Sequence, residues 1–318
     1  MKSIAVIGQG FVGGSLTTVL SERGAKVFVY DITGKVAKGG SDPREFPSIK
    51  SIIRNRPTYN ATTFANSCED ISNFSGVFFV CLPTPMKKDG SADLSIVEGT
   101  LDLLASSEKT RVAVIKSTVP PGSTMKWNQK YGDRLRIIFN PEFLTEANAL
   151  NDMRNQDRIV LGGPRPWINE VRNLYQTFFS DVPVIKTSST IAEMIKYVTN
   201  VHLAVKVSLA NEFYQVCTAL DAQGLDIDYD KVVEYAVRDE RLGKSHWRVP
   251  GPVPADDTGE PVFGYGGHCF PKDIQALIHL AKTVGVDPKV MSAAWEKNLE
   301  VRPQRDWEQL KGRAVSEE

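Results

Sequence analysis

Short runs of β-branched and aromatic residues alternate with longer stretches of helical character through the first half of the chain. The runs are Ser3 to Gly8, Lys26 to Asp31, Gly76 to Leu82, Arg111 to Thr118, Arg136 to Asn140, Ile159 to Gly162 and Pro183 to Thr187. This alternation predicts a mostly parallel sheet with helices on both faces. The pattern then changes. Thr190 and Glu193 have the spacing of a capping box, and neither proline nor glycine recurs until Gly224. One helix of about 30 residues, some 45 Å long at ~1.5 Å per residue, is expected. Its apolar residues Ile191, Ile195, Val198, Leu203, Val205, Leu209 and Phe213 are too many for one face, which predicts burial on several sides and a subunit contact. The resulting fold class is α/β: a doubly wound sheet in residues 1–188, then a long spine helix founding an all-helical domain in 189–298. A charged tail, 299–318, is expected to form at most a short surface helix. Prolines 250, 252, 254 and 261 mark a loop within the helical domain.

Composition removes several function classes. The chain has 318 residues, 42% of them hydrophobic, enough for two ordinary domains. Lys plus Arg and Asp plus Glu balance at 38 each, which argues against nucleic-acid binding. No apolar run approaches the length of a membrane span, and Met-Lys-Ser-Ile-Ala-Val-Ile-Gly enters a strand at once, so neither a membrane segment nor a secretory leader is expected. The cytoplasm is the expected compartment. Cys68, Cys81, Cys217 and Cys269 are scattered, without CxxC or Cys/His clusters, so free thiols and no metal site are expected.

Gly8-Gln9-Gly10-Phe11-Val12-Gly13 follows the first strand and opens a helix. In that context Gly8 permits the tight turn, Gly10 lets backbone approach a diphosphate, Gly13 permits close helix packing, and Phe11 and Val12 lie at the helix start that faces the anion. The first domain is therefore expected to be a Rossmann-like dinucleotide fold. Asp31 ends the second strand, 18 residues after Gly13, where a carboxylate accepts from ribose hydroxyls and repels a 2′-phosphate. NAD is favoured over NADP, with Lys35 just beyond as a cation that softens the preference.

Phe263-Gly-Tyr-Gly-Gly-His-Cys-Phe-Pro-Lys-Asp273 puts Cys269 in a glycine-rich turn leading into a helix. Pro271 suits the first helical position, and Ile274, Leu277, Ile278 and Ala281 follow at core-facing spacing. Helix N–H groups, with Lys272 as a nearby cation, favour a thiolate there. Lys196 and Asn200 stand one turn apart on one helix face, a pair suited to stabilising an oxyanion. Lys116-Ser-Thr-Val-Pro-Pro-Gly122 and Asn140-Pro-Glu-Phe-Leu-Thr-Glu146 follow predicted strands, where doubly wound sheets bind ligands.

With Pro83-Thr84-Pro85, Asp89-Gly90 and Asp93-Leu94-Ser95 added to these motifs, the chain resembles the UDP-glucose/GDP-mannose dehydrogenase family from residue 1 to about Asn298. That resemblance implies oxidation of a nucleotide sugar's primary alcohol to a carboxylate in two NAD-dependent steps, most simply UDP-glucose to UDP-glucuronate. It implies that Cys269 carries thiohemiacetal and thioester intermediates and that Lys196 and Asn200 stabilise oxyanions. Asp273 and a water held by Thr118 are implied in proton transfer, and Glu142 in thioester hydrolysis. Thr84, Thr118, Lys272 and Glu146 are assigned to the cofactor. Glu142, Phe143, Leu144, Lys196, Asn200 and Gly266 are assigned to substrate, with Arg241 reaching the substrate of a neighbouring subunit in a homodimer formed through the helical domain. Members of the family usually continue into a third domain that helps bind the base. This sequence ends at Glu318, so a short form is expected, its nucleotide held by the loop from Val249 to Val262, which carries an Asp256-Asp257 insertion, by a partner chain, or loosely. Arg248 is a candidate for the diphosphate, and Trp247 either stacks on the base or covers an apolar patch. Two other readings stay open: a two-electron dehydrogenase of the 6-phosphogluconate/β-hydroxyacid type, which needs no cysteine, and a noncatalytic sugar-nucleotide-binding protein.

Overall fold

The computed structural model describes residues 3–31, 62–64, 74, 76–106, 111–251 and 262–317. They divide into two compact units, Met1–Thr84 with Leu94–Lys196 and Pro85–Asp93 with Tyr197–Glu318. Lys35 and Cys68, and residues 252–261 of the proline-rich loop with its acidic insertion, lie outside the described residues.

The first unit holds one eight-stranded sheet: β1 (Ser3–Ile7), β2 (Val27–Tyr30), β3 (Thr62–Phe64), β4 (Gly76–Val80), β5 (Arg111–Ile115), β6 (Leu135–Phe139), β7 (Ile159–Gly162) and β8 (Val184–Thr187). Their spatial order is 3-2-1-4-5-6-7-8. Strands β1 to β6 pair in parallel, β7 runs antiparallel to β6, and β8 is parallel to β7. Helices α1 (Phe11–Glu22), α2 (Ser95–Ala105), α3 (Ser123–Tyr131), α4 (Ala149–Arg154) and α5 (Trp167–Phe178) connect the strands. Side chains of one strand alternate between two cores. Ile4 and Val6 pack with Leu16 and Val19 of α1 and with Val171 and Phe178 of α5, whereas Ala5 and Ile7 pack with Leu101 and Leu104 of α2 and Trp127 of α3. Burial on both faces is why the strands read as unbroken apolar runs.

Helix α6 (Ser189–Asp221) is one element of 33 residues. Its start departs from the expected capping box. Ser188 Oγ accepts the Ile191 N–H, and the Glu193 carboxylate instead accepts the N–H groups of Gly122 (2.6 Å) and Thr124 (2.8 Å). A glutamate free to reach another element satisfied two orphan donors at the start of α3 in preference to one at its own helix end. Burial on several sides also holds only in part: Ile191, Met194, Val198, Leu209, Phe213 and Val216 form a stripe of exposed apolar residues along α6.

The second unit contains the rest of α6, α7 (Tyr229–Ala236), α8 (Phe270–Thr283) and α9 (Lys289–Val301). Tyr197, Val201 and Ala204 of α6 pack with Ile274, Leu277 and Ile278 of α8 and Ala294 of α9. The final stretch is no mere surface tail. Trp307 is 1% exposed, its ring centroid lies 5.5 Å from that of Trp295, and Met86 exchanges backbone hydrogen bonds with Ala314 and Ser316. One buried aromatic anchors a segment whose charge suggested solvent.

Candidate active site

In the first unit the ends of β1, β4, β5 and β6 carry the chemistry of the sequence motifs. At β1 the chain departs to β2 on one side and to β4 on the other, the switch point at which open parallel sheets bind ligands. Gly8 has φ +87°, and a Cβ there would strike the Cys81 carbonyl; one on Gly13 would strike the Gly8 carbonyl; one on Gly10 meets nothing within 4 Å. The turn is thus tight, the helix close, and the backbone at Gly10 open to a ligand, with Phe11 and Val12 beginning α1. Asp31 Oδ2 accepts the Gln9 N–H at 2.8 Å, which holds the carboxylate beside this turn. These residues fit a dinucleotide. Thr84 Oγ1 donates to the Thr118 carbonyl at 2.7 Å, and the Leu82 N–H donates to Ser117 Oγ, so the loops after β4 and β5 are tied together.

Deeper in the same unit, Lys196 Nζ donates to the Glu142 carboxylate (2.8 Å) and to the Glu142 carbonyl (2.7 Å). The two side chains are 3% and 6% exposed. Glu142 Oε2 also accepts the Leu144 N–H at 2.8 Å. Burial alone would push this carboxyl up, but Lys196, the Leu144 N–H and the more distant Lys116 draw it net below the ordinary range. Glu142 is therefore an anion at neutral pH, fixed in place. The Phe143 ring lies beneath two cations, Arg158 at 4.3 Å and Lys196 at 5.9 Å from its centroid. Glu146 is exposed in a short turn, Glu146–Asn148.

In the second unit Cys269 is the N-cap residue of α8 and partly exposed. Helix α8 starts at Phe270, so Pro271 takes its second position, one later than expected. Asp273, 1% exposed, accepts from Asn200 Nδ2 at 2.6 Å and from Lys272 Nζ in a close ion pair. Lys272 is thereby partly neutralised by its neighbour rather than acting as an uncompensated cation.

Sequence reasoning missed how the cysteine turn is fastened. Asn298 accepts the Tyr265 N–H (2.7 Å) and donates to the Tyr265 carbonyl (3.0 Å). Asp306 accepts the Gly267 N–H (3.1 Å) and is paired with Arg302 Nε (2.7 Å), while Arg302 Nη1 donates to the Phe263 carbonyl (3.0 Å). Asn211 accepts the Gly264 N–H. A Cβ on Gly266 would collide with the Asp306 carboxylate and Arg302, so glycine is required there by the clamp itself. The only signal available was the spacing of Asn298, Arg302 and Asp306, each four residues from the next.

Two assigned substrate residues are otherwise engaged. Arg241 is exposed and pairs with Asp239 two residues away. The Trp247 ring stacks on Phe213 (centroids 6.5 Å apart, 25° between planes), takes the Lys206 ammonium at 4.8 Å, and donates from Nε1 to the Gly243 carbonyl. It covers an apolar patch of Tyr214, Tyr229, Val249 and Phe263.

Comparison with known proteins gives the family and the fold. Residues 2–179 match the model of the UDP-glucose/GDP-mannose dehydrogenase family, NAD binding domain, and residues 190–300 match that family's central domain. The UDP-glucose 6-dehydrogenase TuaD of Bacillus subtilis is 33% identical over 95% of this chain, which spans 64% of TuaD. The UDP-glucose 6-dehydrogenase AglM of Haloferax volcanii is 30% identical over 98% of this chain and 72% of its own length. A solved UDP-glucose dehydrogenase from Pyrobaculum islandicum superposes with a TM-score of 0.79 at 28% identity, covering 98% of this chain and 70% of that chain.

Proposed function

Because the chain belongs to the UDP-glucose/GDP-mannose dehydrogenase family, we propose that it oxidises the primary alcohol of a nucleotide sugar to a carboxylate, with UDP-glucose the leading substrate. NAD, when bound, supplies the hydride acceptor for both two-electron oxidations. Gly8, Gly10, Phe11, Val12, Gly13 and Asp31 are assigned to hold it, with Thr84 and Thr118 beside them and Glu146 and Lys272 as further contacts. Cys269 Sγ adds to the carbon of the aldehyde, giving a thiohemiacetal whose oxidation leaves a thioester; water then releases the carboxylate and returns the thiolate. Lys196 and Asn200 donate to the developing oxyanions, each well-placed donor contributing about 3 kcal/mol. Asp273 orients the Asn200 amide and, with Thr118, moves protons. Glu142 orients Lys196 and acts as base toward the hydrolytic water.

The observation that carries this reading is Cys269 at the N-cap of α8, partly exposed, a position where the partial positive charge of a helix start favours an anion. The exposed apolar stripe of α6 supports a homodimer through the helical domain, with Arg241 directed to a neighbour's substrate, and the cytoplasm is the proposed compartment. Substrate recognition is assigned to Phe143, Leu144 and Gly266, whereas Trp247 acts by packing. The test counts NADH per nucleotide sugar. Two equivalents and a carboxylate are expected, with turnover lost in Cys269→Ser; one equivalent and a fully active Cys269→Ser would leave the two-electron alternative instead.

A further inference from the structure

Lys116, 5% exposed, is a buried cation to which the reaction above gives no task. It follows β5, and its Nζ donates to Asn140 Oδ1 at 2.9 Å. The same oxygen accepts from the Tyr175 hydroxyl of α5 at 2.5 Å. Asn140 Nδ2 in turn donates to the Val160 carbonyl (2.8 Å) and the Pro141 carbonyl (3.3 Å). One amide therefore pins the turn from Asn140 to Glu142 against β7, and two donors hold that amide in one orientation. The ionisable groups around Lys116 come from four elements: Cys81 after β4, Glu142 after β6, Tyr175 on α5, and Lys196 on α6. Burial pushes the Cys81 thiol up to about 12 and raises the Tyr175 phenol, so both are neutral near pH 7. The charges that remain are two ammonium groups and one carboxylate, that of Glu142. Desolvation, aided by Lys196 and opposed by Glu142, brings Lys116 down to about 8.

We propose that Lys116 is a positioning residue for Glu142: through Asn140 it holds the turn that carries this carboxylate, and its charge sets how readily Glu142 accepts a proton. The inference rests on the reading of Glu142 as the base of thioester hydrolysis. What ties this cation to the carboxylate is that its hydrogen bond ends on the amide that fixes the turn from Asn140 to Glu142.

The experiment is the pH profile of kcat for UDP-glucose oxidation, with Tm recorded for every variant. Lys116→Met removes the charge. It is expected to move the acidic limb up by at least about 0.5 pH unit, because Glu142 loses a cation, and to erase the inflection near pH 8. Lys116→Arg keeps the charge without a titration in this range; it is expected to erase the same inflection and leave the acidic limb in place. Tyr175→Phe removes the other donor to Asn140 but no charge, and both limbs are expected to stay. Profiles of Lys116→Met and Lys116→Arg that superimpose on the parent overturn the proposal, as does a Tyr175→Phe shift equal to that of Lys116→Met. Should Lys116→Met not fold, persistence of the pH 8 inflection in Lys116→Arg overturns it alone. Glu142→Gln separates the two levels: if it retains full turnover and the acidic limb, the reading of Glu142 fails, and not merely the role of Lys116.

Discussion

Two ion pairs in this molecule look alike on paper and differ in kind. Lys196 and Glu142 are 3% and 6% exposed, inside the sheet unit. Arg302 and Asp306 are 4% and 38% exposed, clamping the cysteine turn in the helical unit. Removing charges from water costs several kcal/mol per ion, so the first pair survives only because each partner completes the other and further hydrogen bonds absorb the rest. The second keeps water on its carboxylate and loses little by desolvation. The first arrangement therefore fixes ionisation states, and the second fixes the course of a backbone.

The largest effect should come from breaking the buried pair. Lys196→Met alone leaves Glu142 as a buried, half-satisfied anion and is expected to cost about 3–5 kcal/mol. The double variant Lys196→Met/Glu142→Leu should recover most of that loss. Urea unfolding of the two singles and the double gives the coupling directly. A single-variant loss below about 1 kcal/mol would mean that water reaches the pair and that the contrast with Arg302–Asp306 is one of degree.

The clamp should respond more mildly in stability and more sharply in turnover. Asp306→Ala strands the Gly267 N–H and Arg302 Nε where water can partly replace the carboxylate, at a cost of about 1–2 kcal/mol. Because the turn ends at Cys269, kcat is expected to fall about tenfold or more with KM nearly unchanged. Turnover within twofold of the parent would show that Asn298 and Asn211 hold the turn without Asp306.

How far the sequence announces these features follows from the range of the interactions. The strands are legible because both of their faces are buried, and the dinucleotide turn because Gly8 and Gly13 have no room for a Cβ. Lys196 and Asn200 are legible as one helix face. Glu193 misleads, since its local spacing to Thr190 competes with two donors 69 and 71 residues away. The reversal at β7 is also hidden: the connection over residues 140–158 holds one short turn and the six-residue α4 between stretches of loop, and no apolar pattern encodes direction. Trp307 shows that a single large side chain outweighs the charges around it. Lys116 sat inside a recognised motif, but its importance depends on Asn140, Tyr175 and Glu142, which only the sheet brings together.

The smallest effect is a pH dependence that sorts the two pairs by sign and size. Burial pushes the Asp306 carboxyl up, but the Arg302 guanidinium and the Gly267 N–H more than offset it and leave it below the ordinary range; Glu142 is depressed for parallel reasons. A depressed carboxyl contributes stability that is present above its unfolded value, near ~4, and is lost as pH falls through the folded one. Asp306→Asn mimics the protonated acid, so its stability deficit relative to the parent should be constant above about pH 5 and shrink below about pH 4. Solvent on Asp306 keeps that deficit under about 1 kcal/mol. The deficit of Glu142→Gln should close over the same acid range but start larger, because no water screens Lys196. A deficit that widens as pH falls, for either variant, would mean that the carboxyl is held in its neutral form, and the ion pair would then not be what orients its partner.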